Sequence, residues 1–295
     1  MSPTRTRRLR LGLPKGSLQE TTQELFRRAG FQLQIPSRSY YPEIDDPELD
    51  CILIRAQEIA RYVDQGVLDA GITGLDWTLE SRSKVKELAD LRAPWPNYGP
   101  VRWVVAVKNS SRIRKPADLE GKRIATEVVN LSRRYLRSHG VKAKVEFSWG
   151  ATEVKPPILA DAIIDVTETG SSLRANDLRI VDTVVESTPR FIGNRAACAD
   201  SWKLQKMKRL LLVLQGAIHA ADRVGLMMNA PADRVETLLA LLPALGTPTI
   251  STLADDRWVA INTVIEERIV TELFPRLSEA GARGIVEYPL NKIIE

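Results

Sequence analysis

The chain has 295 residues, a formal net charge of +5, 44% hydrophobic residues and 27% charged residues, a composition that suits a soluble globular protein with two or three cored domains. No apolar run approaches the ~20 residues that span a bilayer. The basic start, residues 1–10, has no apolar stretch of the signal-peptide kind, so neither membrane nor secretion is expected and the chain reads as cytoplasmic. Two distant cysteines, Cys51 and Cys198, and two isolated histidines, His139 and His219, offer no metal-ligand spacing, structural disulfide or nucleophilic triad. The positive charge is scattered apart from Arg5-Thr6-Arg7-Arg8, which reads as a frayed, solvated tail, and no nucleic-acid partner is expected.

Leu9 to Leu13 alternates with period two and predicts a strand, broken by Pro14-Lys15-Gly16. Ser17-Leu18-Gln19-Glu20 has the capping-box form. It opens a helix with Leu18, Leu25 and Ala29 on one face, ended by Gly30, and Lys15 lies at its start. Cys51 to Ile54 predicts a second strand with Arg55 at its end, then a helix over 58–65 with Ile59 and Val63 inward and Gly66 closing it. A third strand is predicted over 67–72, followed by Thr73-Gly74 and a helical start at Leu75-Asp76-Trp77. Asp69, Gly71 and Thr73 then read as a strand-end group, and ligands of open α/β sheets bind at the carboxyl ends of strands. Asp69 reads equally well as an ordinary turn acid.

After a Pro/Gly crossover at 97–100, a second α/β unit is predicted. It has strands over 101–107, 123–126 and 145–147, and a helix over 130–139 with Leu131, Tyr135 and Leu136 inward. A loop follows at 150–153, and Ile158 and Leu159 are assigned to a short helix. The most informative segment comes next. Ala162-Ile163-Ile164 is a buried-strand run that stops at Asp165. Glu168, Thr169, Gly170, Ser171, Ser172 and Leu173 follow, and a helix-compatible stretch runs to Leu178. Backbone N–H groups and hydroxyls converging at a helix start form an anion site. Two carboxylates beside it suit ribose hydroxyls or a ligand-borne Mg²⁺, so the pattern suggests a sugar phosphate.

A strand over 180–185 and a return segment over 191–197 precede a long amphipathic helix over 202–221. The remainder predicts strand 224–228, helix 232–242, strands 249–253 and 259–265, helix 268–280 and strand 285–288. That β-α-β-β-α-β order is the ferredoxin-like plan. It shows no dense set of catalytic side chains and reads as a small-ligand or regulatory module. Pro275 is a misfit within its last helix.

Several motifs occur together and in order: Leu13-Pro14-Lys15-Gly16-Ser17-Leu18, Asp69-Ala70-Gly71-Ile72-Thr73-Gly74, Asp161 to Asp165 running into Thr169 to Leu173, Pro248-Thr249-Ile250, and Asp256-Arg257-Trp258-Val259-Ala260. With them the chain resembles the long form of ATP phosphoribosyltransferase, over essentially its whole length after the basic tail. The resemblance implies an α/β fold of two periplasmic-binding-protein type II-like catalytic domains plus a C-terminal ferredoxin-like regulatory domain. The divisions implied are residues 1–99 with 186–204, residues 100–185, and residues 205–295.

The resemblance also implies transfer of the phosphoribosyl group of phosphoribosyl pyrophosphate (PRPP) to N1 of the adenine of ATP, with release of pyrophosphate and with Mg²⁺ as cofactor. Feedback inhibition by L-histidine and assembly into dimers and hexamers are further implications. A non-catalytic two-lobed binding protein is the alternative. Adenine N1 brings its own lone pair, so no protein nucleophile is needed and catalysis is positioning and electrostatics.

On this footing Thr169, Gly170, Ser171, Ser172 and Leu173 take the 5′-phosphate and Asp165 the ribose, while Glu168 is either ligand-facing or a solvated turn residue. Lys15 and Arg55 meet the polyphosphates. Asp69, Gly71, Thr73 and Glu153 line the nucleotide side, and Asp165 and Glu153 are the candidate metal neighbours. Arg55 and Glu153 read about equally as a solvated strand-end charge and a helix-start acid. Asn229, Leu245, Thr249, Val264 and Gly284 match the family's histidine-contacting positions. Asn229 stands where the family member compared has an acid, so it would hold an ammonium group more weakly.

Overall fold

The computed structural model describes residues 7–36, 38–95 and 97–294. It divides into two compact units, one of residues 7–27 with 31–211 and one of residues 28–30 with 212–294. Among the described residues no helix is long and apolar enough to cross a membrane, and Cys51 and Cys198 are buried and free. Of the basic tail, Arg5 and Thr6 lie outside the described residues. Arg7 is not frayed: its guanidinium pairs with Asp200 at 2.6 Å and lies over the Trp202 ring.

The larger unit holds two five-stranded sheets. The chain runs β1 (Leu9–Lys15), α1 (Gln19–Ala29), the small pair β2 (Leu33–Gln34) and β3 (Glu43–Ile44), β4 (Leu49–Arg55), α2 (Ala56–Asp64), β5 (Ala70–Gly74), α3 (Leu75–Ser81) and β6 (Lys86–Asp90). It then crosses to β7 (Val101–Lys108), β8 (Arg123–Thr126), α4 (Val129–Ser138), β9 (Lys144–Phe147), β10 (Ala162–Thr167), α5 (Ser171–Ala175) and β11 (Leu178–Ser187), and returns to the first lobe as β12 (Pro189–Gly193). The sheet orders are β4-β1-β5-β12-β6 and β9-β8-β10-β7-β11.

The two lobes share one plan. Three parallel strands are followed by an antiparallel strand arriving from the other lobe (β12 in the first, β7 in the second) and then an edge strand. This is the periplasmic-binding-protein type II arrangement that the resemblance implied.

The hydrophobic pattern explains the layers. In the first lobe, Ile59, Ala60 and Val63 on one face of α2 are fully buried with Leu68 and Ile192, and Gly66, at φ +73°, ends that helix region. In the second lobe, alternate residues of each strand face opposite cores. Trp103, Val105 and Ile164 join Leu131 and Tyr135 of α4, while Val104, Ala106 and Ile163 join Leu173 and Leu178 on the other side.

Three sequence expectations are corrected here. The first strand does not stop at Leu13; it continues through Pro14 and Lys15, in register with Ile54 and Arg55 of β4. The third strand covers 70–74, not 67–72: Val67 is exposed, and Thr73-Gly74 is strand rather than turn because β12 pairs with both residues. Ile158 and Leu159 form no helix and are 81% and 61% exposed. The edge strand β6, polar and without alternation, has no counterpart in the sequence reading.

The smaller unit contains β13 (Arg223–Pro231), α7 (Val235–Leu241), β14 (Thr249–Thr252), β15 (Trp258–Glu266), α8 (Val270–Glu279) and β16 (Arg283–Pro289). Between the two sets of strands the chain runs through α6 (Ser201–His219). The sheet order β14-β15-β13-β16, antiparallel throughout, is ferredoxin-like as expected. Val224, Leu226, Met228, Ile261 and Ile265 face the helices and meet Leu238, Leu273 and Leu277. Pro275 is inside α8, as the sequence indicated.

Candidate active site

The carboxyl ends of the parallel strands of both lobes face one cleft, which encloses a cavity of about 250 Å³. On the first lobe, β1 and β4 lie in parallel register with Lys15 opposite Arg55, so two cations end side by side at the cleft wall. The Lys15 ammonium sits 4.0 Å from the centre of the Tyr40 ring, a cation–π contact that steers the flexible side chain. Across the cavity are Val166 and Glu168, which follow the end of the second lobe's apolar strand run. Glu168 is thus at the cleft lining and is also exposed to solvent.

The phosphate-loop candidate follows β10 directly. Gly170 adopts φ +76° and caps α5, a conformation that glycine takes without a Cβ penalty. Its N–H donates to Thr167 Oγ1 at 2.8 Å. The helix N-terminal reading is modified: α5 is only five residues long, so its dipole contributes little. The donors that count are the first-turn N–H groups of Ser172 and Leu173, which have no intrahelical acceptor, and the exposed hydroxyls of Thr169, Ser171 and Ser172. Leu173 itself is buried in the lobe core and anchors the loop from beneath. The Arg174 guanidinium donates to Thr169 O at 2.9 Å and braces the loop.

Asp165 points to the same sheet face as Ile163, toward this loop. It is half-buried and accepts the Val166 N–H at 2.8 Å. Burial pushes its carboxyl up to about 6, and the negative charges of Glu153 and Glu127 push in the same direction. Glu153, in a short turn over Thr152–Val154, accepts a hydrogen bond from the Ser172 hydroxyl. Strand end, turn acid and phosphate loop therefore form one contiguous surface. Among the described residues no group of three or more acids, histidines or cysteines is arranged to hold a metal.

Three expected nucleotide residues lie elsewhere. Asp69 is at the opposite end of β5 from the cleft, level with Arg10 of β1. It is almost fully buried and is paired with Lys203 at 2.7 Å and Arg10 at 3.3 Å. Burial pushes its carboxyl up, but the hydrogen bonds from Lys203 and Arg10 outweigh that and hold it below the ordinary value. Gly71 lies inside β5, where a Cβ would stand 2.4 Å from Ile59 Cγ2; it is a close-packing glycine. Thr73 is buried and donates to Ala56 O at 2.7 Å, which ties β5 to the start of α2. A strand over 67–72 would bring Asp69 toward a strand end with the Thr73-Gly74 turn, whereas β5 begins at Ala70 and runs to Gly74, which leaves Asp69 before its first residue.

Sequence reasoning did not assign a role to Asp76, Trp103 or Glu127. Asp76 accepts from Trp103 Nε1 at 2.7 Å, from the Ser187 hydroxyl at 2.9 Å and from the Trp77 N–H at 3.0 Å, so it joins the two lobes at the cleft floor. Gly74 makes room for it: a Cβ there would come within 2.0 Å of Asp76 Oδ1. No sequence signal marked Asp76 or Trp103, because they lie 27 residues apart and meet only in the fold. Glu127 lines the cavity just past β8, and its signal was an acid directly after a buried strand. On the smaller unit, Asn229, Val264 and Gly284 lie on β13, β15 and β16, Thr249 opens β14, and the Leu245 N–H donates to Val264 O at 3.0 Å. Asn229 Nδ2 is 3.9 Å from the point a Cβ on Gly284 would occupy.

Fold and cleft together define a two-lobed α/β protein with two cations at the wall of its cleft and a separate ferredoxin-like unit. The family model for ATP phosphoribosyltransferase matches residues 55–216, and the model for the HisG C-terminal domain matches residues 220–292. The ATP phosphoribosyltransferase of Solibacter usitatus is 57% identical over 97% of this chain and 99% of its own length. That of Chlorobaculum parvum is 58% identical over 97% and 98%. Among solved structures, the ATP phosphoribosyl transferase (HisG:HisZ) complex from Thermotoga maritima aligns with a TM-score of 0.60 at 27% identity, covering 70% of this chain and 98% of that one. The chain belongs to the ATP phosphoribosyltransferase family, in its long form. It is a pentosyltransferase of histidine biosynthesis, with ATP and PRPP as substrates and a divalent metal in the reaction.

Proposed function

We propose that the reaction runs in the cleft between the two lobes, with PRPP on the second lobe and its leaving group directed at the first. The reading rests above all on one observation: Lys15 and Arg55 end adjacent strands side by side and line one cavity with Val166 and Glu168, the near neighbours of Asp165 on the second lobe. Thr169 to Leu173 would bind the 5′-phosphate through N–H and hydroxyl donors, and Asp165 would accept from the ribose hydroxyls. As the bond from C1′ to pyrophosphate breaks, its electron pair leaves on the pyrophosphate oxygen and C1′ gains oxocarbenium character. The lone pair of adenine N1 then forms the new bond. Lys15 and Arg55 offset the growing charge on pyrophosphate, a preorganised electrostatic contribution that needs no protein nucleophile. Mg²⁺ bound to pyrophosphate would supply further charge neutralisation, with Asp165 and Glu153 as the candidate carboxylates to hold it.

In this reading residues 1–99 with 186–204 and residues 100–185 are the catalytic domains, and residues 205–295 bind L-histidine as a feedback inhibitor within dimers and hexamers. An ammonium group at Asn229 meets an amide rather than a carboxylate, which favours weak inhibition. The test follows product absorbance and pyrophosphate release with ATP, PRPP and Mg²⁺ while histidine is titrated. Activity should disappear with chelator and return with Mg²⁺, and Asn229→Asp should tighten inhibition severalfold. Activity that survives chelation excludes the metal assignment. Millimolar histidine without effect on either protein excludes the regulatory one.

A further inference from the structure

Glu127 is a half-buried carboxylate on the cavity wall, and no described residue donates a hydrogen bond or an ion pair to it. Every other cleft acid is either satisfied or exposed: Asp76 has three donors, and Glu168 is open to solvent. The indoles of Trp77 and Trp103 line the same cavity, whose cations, Lys15 and Arg55, belong to the other lobe's strand ends. A lone carboxylate beside aromatic rings repels phosphate and favours a flat ligand that presents N–H donors.

The strand register adds a constraint. β8 and β10 are adjacent and parallel, with Thr126 opposite Ile164. Glu127 follows Thr126 directly at the end of β8, and Asp165 follows Ile164 on β10, so the two acids leave the same register position on neighbouring chain segments. Their proximity is also felt electrostatically, since the Glu127 charge raises the Asp165 carboxyl.

We infer that Glu127 reads the 6-amino group of the adenine of ATP and thereby aims N1 at the ribose carbon held beside Asp165. This rests on the assignment of the ribose to Asp165. In adenine, N1 and the 6-amino nitrogen flank the same carbon, so a carboxylate that fixes the amino group also fixes the direction of the N1 lone pair. The neighbouring strand then presents C1′. As the N1–C1′ bond forms, positive charge spreads over N1, C6 and the amino nitrogen, so the attraction of Glu127 grows toward the transition state. The carboxylate thus contributes both to base selection and to rate.

The decisive probe is purine riboside 5′-triphosphate, which keeps the N1 lone pair and lacks the amino group. The wild type should prefer ATP in kcat/KM by about ten- to hundredfold, the range for a hydrogen bond to a charged group. In Glu127→Ala that preference should shrink by the same ten- to hundredfold factor, down to the part set by the amino group's own electron donation to N1, with the KM for PRPP unchanged. Glu127→Gln keeps an acceptor and should retain part of the preference, and it carries the same readout if the alanine variant does not fold. A preference of undiminished size in a folded variant overturns the inference, as does a PRPP KM that rises as much as the ATP KM. Asp165→Asn measured in parallel separates the two assignments: if PRPP use is normal there while Glu127→Ala loses its base preference, the ribose assignment fails and the base assignment stands.

Discussion

Replacing Asp165 with asparagine should stabilise this protein while disabling it. The carboxyl is raised from an ordinary 3.8 to about 6, first by burial and then by the charges of Glu153 and Glu127. Between those two values the folded protein holds a proton that the unfolded chain has released, so stability falls as pH rises through this window. Above about pH 6 the whole penalty is present. The rise corresponds to about 3 kcal/mol as an upper limit, and water reaching a half-buried group reduces this to about 1–2 kcal/mol. For a unit of this size that is a Tm increase of about 2–8 °C at pH 7 on removing the charge. The amide can still accept the Val166 N–H, so no new unsatisfied group is made.

Thermal melting of the wild type and Asp165→Asn at pH 7 and pH 4 tests the energetics, and PRPP kinetics on the same samples tests the role. The variant should melt higher at pH 7, lose that advantage near pH 4, and show a KM for PRPP raised at least tenfold. A variant that melts lower at pH 7 with unchanged PRPP kinetics would refute the reasoning, because Asp165 would then be a structural acid.

The other cleft and core charges should separate along the same axis. Arg55→Ala removes an exposed cation from the expected path of pyrophosphate and should lower kcat/KM by about 10²–10³-fold with little change in Tm; a rate within threefold of wild type contradicts its role. Asp69→Asn breaks the pair with Lys203 and Arg10 and should destabilise by about 2–3 kcal/mol, less than a fully buried pair because Lys203 is partly exposed. The Asp69 carboxyl is held below its ordinary value, so its contribution is present above about pH 4 and is lost as pH falls through the lowered value. Urea unfolding at pH 7 and pH 3 measures this, and kcat/KM per folded molecule should not change. A catalytic loss at unchanged stability would return Asp69 to the active site.

Much of the fold was legible because its signals are local. Ile59 and Val63 at helical spacing, the alternation of Leu9, Leu11 and Leu13, and the strand order of the C-terminal segment each follow from which side chains must leave water. The turn proposed to take the phosphate is legible as a turn for a similar reason: Thr169, Gly170, Ser171 and Ser172 are contiguous, and Gly170 supplies the positive φ that the turn requires. The family, too, was readable from motifs in order along the chain.

Tertiary structure alone decided which strand ends meet. Thr73-Gly74 looks like a turn until β12 arrives from more than a hundred residues away to pair with it. That pairing extends β5 and leaves Asp69 at the wrong end for a ligand. Asp76 has no visible purpose in sequence, because its partners Trp103 and Ser187 lie 27 and 111 residues away. The adjacency of Lys15 to Arg55, and of Glu127 to Asp165, is a matter of sheet register. Side-chain periodicity is set within one segment of chain, whereas register is set by the free energy of packing several segments together. The sequence therefore determined the chemistry of each strand end, and the packed sheets determined which of those chemistries face each other across the cleft.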